Sequence, residues 1–337
     1  MRTVAFVGSA GKVFHVSRVS RCRAGRNSCL FGHAFVAVHA CLPRLRRGQC
    51  WTRRRRRGPV FVGRCRHEYW RELGGRRRRQ PHGCGRQSIR GERCRAGAKA
   101  FTLPPLNQGL DYQLGGAYTP PAGVKIVSRD RTASVAAGLY NICYVNGFQI
   151  QPDEEGTWMS DHPDLILRNA AQQPVIDQDW NEMLIDVSTQ AKRVAVAEIV
   201  GAWIKGCAAA GFDAVEIDNL DSFSRSNGQL TEDDAVSTMS LFSAAAHAQG
   251  LAIAQKNSAE LVARRSELGT DFVVAEECNR YAECDVYTAA YGDHVLVIEY
   301  RRADFDKGCA NFPNLSIVLR DLDLVDPSGA NYTYDGC

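Results

Sequence analysis

The chain has 337 residues, 45% of them hydrophobic, which is enough apolar material for a sizeable core and too much for a disordered chain. No apolar run reaches the length of a membrane-spanning helix. The formal charge of +5 sums two opposite halves: residues 1–100 hold 24 Arg and 2 Lys against 3 Glu, and residues 101–337 hold 16 basic against 34 acidic residues.

The first hundred residues carry Arg runs at 53–57 and 76–79 and seven of the 13 Cys at irregular spacing. They show no sustained helical or strand period. A basic arm for nucleic acid is one reading. The cysteines form no paired CxxC units with His partners, so a zinc module has no support. The Arg, Gly, Cys and Trp bias fits better with GC-rich DNA read out of frame, or a start set too far upstream. A poor secretory signal is a third reading, from the apolar run at 30–42 behind Arg21, Arg23 and Arg26. Ala96-Gly97-Ala98 and Ala98-Lys99-Ala100 are small-residue patterns of the kind a signal peptidase cuts. Residues 1–100 are therefore expected to be an Arg- and Cys-rich low-complexity segment of no predicted fold, and residues 101–337 a single domain.

In that domain, apolar runs rich in Val, Ile and Phe recur at 124–128, 140–146, 183–187, 214–218, 251–256, 272–277, 295–300 and 316–320. Helical patterns separate several of them. One spans about 190–210, capped by Ser188 or Thr189, with Val196, Ile199, Val200, Trp203 and Cys207 on one face and Gly211 at its end. A second starts at Thr231, with Asp234 completing a capping-box variant, and stops at Gly250. A third runs 259–268 to Gly269. Strand–helix alternation with eight strands predicts a (β/α)8 TIM barrel, irregular where the first two strands are joined by too few residues for a helix. An open doubly wound sheet is the alternative. No glycine-rich phosphate loop follows a strand, so no nucleotide cofactor is expected.

Barrel chemistry gathers where strands end. Polar residues stand at nearly all of those ends: Asp186, Glu216 with Asp218, Asn219 and Asp221, Gln255 with Lys256 and Asn257, Glu276-Glu277, Glu299-Tyr300, and Arg320-Asp321. Paired carboxylates suit glycoside cleavage, where one protonates the leaving oxygen and the other attacks the sugar or activates water. His162, His247 and His294 form no metal-binding pair, and the nucleophile elbow GxSxG is absent, so neither a metal nor a Ser nucleophile is expected. Strand alternation puts Glu216 and Asp218 on one side, with Glu216 deeper, and sends Glu276 and Glu277 to opposite sides. Lys256 would favour an ionised carboxylate nearby.

The segments Asp-Tyr-Gln-Leu-Gly-Gly-Ala-Tyr at 111–118 and Gly-Leu-Tyr-Asn-Ile-Cys-Tyr-Val-Asn at 138–146 are distinctive. So are Gly-Phe-Asp-Ala-Val-Glu-Ile-Asp-Asn-Leu-Asp at 211–221, Ala-Gln-Lys-Asn at 254–257, Ala-Glu-Glu-Cys at 275–278, Val-Ile-Glu-Tyr at 297–300 and Leu-Arg-Asp at 319–321. Together they resemble glycoside hydrolase family 114, the endo-α-1,4-polygalactosaminidases, over about 101–337. The resemblance implies a (β/α)8 barrel that makes endo-cuts in α-1,4-linked galactosamine or N-acetylgalactosamine polymers. The family's catalytic Asp falls on Asp218 and its second carboxylate on Glu276. Ile217 stands where many relatives carry Pro. The acidic balance of the domain agrees with a cationic substrate.

Substrate contacts are expected from Tyr144, Asp186, Asn219, Gln255, Lys256, Tyr300 and Asp321. Tyr112, Tyr118 and Trp158 are further candidates to stack on sugar rings. The domain's six cysteines suit an exported, disulfide-bonded protein. Cys278–Cys284 would close a short loop behind Glu276, and Cys309–Cys337 would tie down the C-terminus. Cys143 and Cys207 remain, as a third bridge or as buried thiols. A secreted monomer acting on an amino-sugar polysaccharide is expected, with neither nucleic acid nor membrane as partner. A barrel that binds such a polymer without cutting it is the alternative.

Overall fold

The computed structural model describes residues 100–337. Apart from Ala100, the Arg- and Cys-rich segment and every expectation for it lie outside the described residues.

Three strands open the domain: β1 (Gly109–Gln113), β2 (Val124–Asp130) and β3 (Tyr140–Asn146). An insertion follows, with β4 (Gln149–Ile150), α1 (Glu155–Asp161), β5 (Ile176–Asp177) and β6 (Glu182–Leu184). Helices and strands then alternate: α2 (Gln190–Ala210), β7 (Ala214–Asp218), α3 (Glu232–Gln249), β8 (Ala252–Lys256), α4 (Arg265–Leu268) and β9 (Phe272–Glu276). The chain ends with α5 (Cys278–Tyr281), α6 (Cys284–Tyr291), β10 (Val295–Glu299), α7 (Arg302–Asn311), β11 (Ser316–Arg320) and β12 (Tyr334–Gly336).

Strands β1, β2, β3, β7, β8, β9, β10 and β11 are neighbours in that order and parallel, and β12 adds antiparallel to β11. This is an α/β barrel. Side chains close its seam between β1 and β11. The Gln108 N–H donates to Ser316 Oγ at 3.0 Å. Arg320, fully buried, donates to Asp111 Oδ1 at 3.1 Å and to the Tyr112 carbonyl. Period-two alternation sorts the strand side chains. Leu110, Ile126, Ile142, Ala214, Phe272 and Ile298 fill the interior. Val145, Val215, Ile217 and Ile253 share an outer layer with Val196 and Val200 of α2 and Met239 and Phe242 of α3.

The helix signals are physically realised. Thr189 Oγ1 accepts the Lys192 N–H at the start of α2, and Gly211 closes the helix at φ 93°. Thr231 and Asp234 form a reciprocal capping box on α3, and Gly250 ends it at φ 80°. All three disulfides are present. Cys143–Cys207 pins α2 to β3, Cys278–Cys284 joins α5 to α6, and Cys309–Cys337 ties the C-terminus to α7.

Two expectations need correcting. The run 183–187 is not a barrel strand. Its first part pairs as β6 in a separate three-stranded sheet of order β4-β6-β5. It is apolar because Met183, Leu184 and Ile185 bury beside Ile150 and Leu165 in the core layer outside the barrel, shared with α2 and α3. The barrel's true first strand is β1, whose outward residues Asp111 and Gln113 are buried but polar.

Candidate active site

Asp218, Lys256 and Glu276 each end a barrel strand, on the neighbouring strands β7, β8 and β9. Each is followed at once by a left-handed residue: Asn219 at φ 62°, Asn257 at φ 46° and Glu277 at φ 56°. The chain thus turns sharply away and leaves the three side chains at the mouth. Such a conformation costs a non-glycine residue of order 1–3 kcal/mol, and Asn tolerates it best.

Lys256 is the hub. Its Nζ lies 3.3 Å from Asp218 Oδ1, 3.1 Å from Glu276 Oε2 and 3.4 Å from Glu216 Oε1. It also donates to Tyr112 Oη at 3.1 Å. Burial alone would lower the ammonium's pKa, but Asp218, Glu276 and Glu216 outweigh it and hold Lys256 well above the ordinary value. Burial would likewise raise Asp218. Lys256, the Tyr144 hydroxyl at 2.8 Å and the Asn219 N–H outweigh it, so Asp218 is held below the ordinary carboxylate range. Glu216 lies one layer down and is fully buried, which raises its pKa. It accepts from Tyr112 at 2.5 Å and from Ser128 at 2.8 Å. Glu276 accepts from the Tyr300 hydroxyl and from Asn257 Nδ2 at 3.3 Å.

Of the residues expected from sequence, Asp218, Glu276, Tyr144, Lys256 and Tyr300 therefore meet in one cluster. Tyr144 and Tyr300 donate to the two carboxylates, a different role from the expected sugar stacking. Asn219 is adjacent, its Nδ2 donating to Asn146 Oδ1 at 3.0 Å. Three of the expected contact residues are not brought into that cluster. Gln255 alternates with Lys256 and faces away. Its amide holds the carbonyls of Asn257 and Ser258 at 2.8 and 2.9 Å, and its Oε1 accepts from Tyr291. Asp186 follows β6 of the insertion, and Ser188 and Lys192 occupy its oxygens. Asp321 holds the backbone of the 321–333 loop through the N–H groups of Val325 and Thr333, at 2.9 and 3.3 Å. Trp158 is core, packed edge-on to Trp203. Tyr118 donates to Asp111 at 2.9 Å in the polar layer outside β1.

Sequence reasoning did not bring Ser128, Asn146 or Glu182 to the site, took Tyr112 for a sugar-stacking candidate, and named Asn257 only as a polar residue at a strand end. Asn257 was signalled by its place directly after Lys256 at a strand end. Glu182 had no local signal, because an inserted sheet brings it in. A groove of about 660 Å³ lies elsewhere, between residues 117–124 and 134–139, and none of the clustered carboxylates lines it.

Residues 91–337 match glycoside-hydrolase family GH114. The chain belongs to that family. As a GH114 glycoside hydrolase it is an enzyme of glycosidic-bond cleavage, and the carboxylate cluster is a site suited to it. Among solved structures it is similar to Aspergillus fumigatus Ega3, crystallised with galactosamine, at 21% identity and a TM-score of 0.57. That likeness covers 72% of this chain and 100% of Ega3, and it is one of fold. The glycoside hydrolase domain of PelA from Pseudomonas aeruginosa is 15% identical with a TM-score of 0.45, covering 64% of this chain and 95% of that domain. No curated protein sequence matches this GH114 chain.

Proposed function

We propose that residues 101–337 form the catalytic domain of an exported endo-hydrolase that cuts α-1,4-linked galactosamine or N-acetylgalactosamine polysaccharide. The observation that carries the reading is the convergence of Asp218 and Glu276 on one buried ammonium at the barrel mouth. Asp218, held ionised, takes the anionic role, and Glu276 is left to protonate the glycosidic oxygen. The galactosamine bound by Ega3 supports the substrate class. So does the domain's excess of acidic residues, which attracts a polycation. Three disulfides support export, since such bonds persist in oxidising compartments.

The separation bears on stereochemistry. Contact with a common ammonium keeps the two facing oxygens within about 6.5 Å of each other, at or below the short end of inverting spacing and compatible with the retaining one. In the retaining course Asp218 attacks the anomeric carbon as Glu276 gives its proton to the leaving oxygen. Glu276 then takes a proton from water, which releases the sugar from Asp218.

The test follows new reducing ends from α-1,4-polygalactosamine and its N-acetylated form, with proton NMR for the first anomer released. We expect cleavage with the α anomer formed first, and a loss of about 1,000-fold or more in Asp218→Asn and Glu276→Gln. Full activity in both variants would overturn the assignment. A β first product would make Asp218 a base for water.

A further inference from the structure

The insertion between β3 and α2 brings one more carboxylate to the mouth. Glu182 opens β6, and its Oε2 accepts from Asn146 Nδ2 at 2.8 Å. Asn146 ends β3 opposite Asp218 in the β3–β7 register, and it also receives Asn219. Glu182 is therefore one hydrogen bond from the residues that flank Asp218. It is half-buried. Burial pushes its pKa up to about 7; the Asn146 hydrogen bond opposes this, Asp218 and Asp177 add to it, and Arg225 opposes it. Tyr144 also feels its charge.

Glu182 makes no ion pair among the described residues. Lys256 is shared by three other carboxylates. Arg225 is engaged by Asp177 at 2.6 Å and Asp221 at 2.7 Å. A carboxylate beside an ionised Asp218 raises the energy of both, and a cation placed there would relieve both. Sugar geometry says which cation. Asp218 must reach the anomeric carbon, and in a 2-amino sugar the nitrogen sits on the neighbouring carbon. A group beside Asp218 is therefore placed within reach of the C2 substituent of the ring under attack.

Resting on the galactosaminidase reading, we propose that Glu182 is the specificity-determining residue for that substituent. Its carboxylate accepts from a free C2 ammonium, and the uncharged, bulkier N-acetyl group forfeits this contact. The enzyme thus prefers a deacetylated sugar in the subsite whose anomeric carbon is attacked.

The experiment compares kcat/KM on polygalactosamine and on its fully N-acetylated form, for wild type, Glu182→Gln and Glu182→Asp. Wild type should favour the free amine, and that preference should weaken as pH falls below about 7 and Glu182 takes up a proton. In Glu182→Gln the ratio of free-amine to N-acetylated kcat/KM should fall about tenfold, chiefly through KM, and the pH dependence of the ratio should flatten. Glu182→Asp should recover part of the ratio. Equal losses on both polymers would show a structural role only and overturn the inference. An unchanged ratio would do the same, with the proposed reaction intact. A wild type that cuts neither polymer would overturn both readings.

Discussion

Lys256 has to serve three carboxylates with one charge. Its side chain is 2% exposed, so water cannot screen it, and removing one partner of such a group leaves buried charge uncompensated. Substituting Lys256→Met keeps the stem and deletes the ammonium. Burial then dominates at Asp218, whose pKa rises from its depressed value. The acid limb of the kcat/KM profile, which reports loss of the ionised form, should move to higher pH, and kcat should fall about 100-fold. A pH-rate profile of the variant checks this. An unmoved acid limb would mean that Lys256 does not set the ionisation of Asp218. Around this residue the sequence was informative, because alternation along a strand fixes which side chains share a face. Asp218 and Glu216 could be put on one face that way, and Glu276 and Glu277 on opposite faces, with the family resemblance pointing to Glu276. The same rule applied at Gln255 would have turned it away from the site, since its neighbour Lys256 faces in.

Elements differ in how much of their structure is written locally. Helices α2 and α3 were legible to within a residue because their caps and terminal glycines lie in the sequence itself. Strand β1 was not, because no helix covers its outer face. Residues 114–123 and 131–139, which connect β1 to β2 and β2 to β3, contain no helix. Asp111 and Gln113 therefore meet Tyr118 and Arg129, a polar layer, instead of an apolar one. An apolar-run search has nothing to find there. The insertion misled in the opposite sense, because β6 is as apolar as a barrel strand but pairs in a separate small sheet and buries in the layer outside the barrel. The element after Glu276 is the most constrained. Glu277 holds a left-handed turn and pairs with Arg280, and the Cys278–Cys284 bridge closes directly behind it. Removing that bridge with Cys278→Ala and Cys284→Ala should cost activity more than stability. A loop this short restrains less chain entropy than a long one would, and it carries the turn that aims Glu276. We expect kcat to fall about tenfold while the melting temperature drops by only a few degrees. Kinetics and thermal unfolding measured on the same sample decide it, and a large thermal loss with unchanged kcat would assign the bridge to folding alone.

At the scale of the whole domain, acidic groups of two kinds set the pH response. Burial pushes Glu182 and Glu299 up to about 7 and raises Glu216 and Asp111 as well. A carboxyl whose folded pKa exceeds its unfolded value binds more protons in the folded state. Its stabilising effect is present at low pH and is lost as pH rises toward that folded value. Asp218 and Asp186 act the other way. Burial would raise them, but Lys256 and Lys192 hold them low, so their contribution exists above the ordinary carboxylate range and disappears as pH falls. The two trends cross near the ordinary carboxylate values, and the melting temperature should peak at about pH 4–5, well below neutrality. The amines of polygalactosamine are protonated there too, so stability and attraction of the substrate coincide. Glu299 offers a clean test of the alkaline side. It is fully buried behind the site, and its Oε1 accepts the Asn279 N–H at 2.9 Å. Glu299→Gln keeps an acceptor and removes the ionisation. Between about pH 5 and 7 the wild type should lose up to about 1.4 kcal/mol per pH unit for each such group, and the variant should lose measurably less. Thermal unfolding of both proteins across pH 4–8 measures this, with the pH range chosen to bracket about 7. Parallel curves would show that Glu299 stays ionised in the fold. A flattened alkaline limb would show that it enters the folded state with its proton, held by the same burial that fixes the turn behind Glu276.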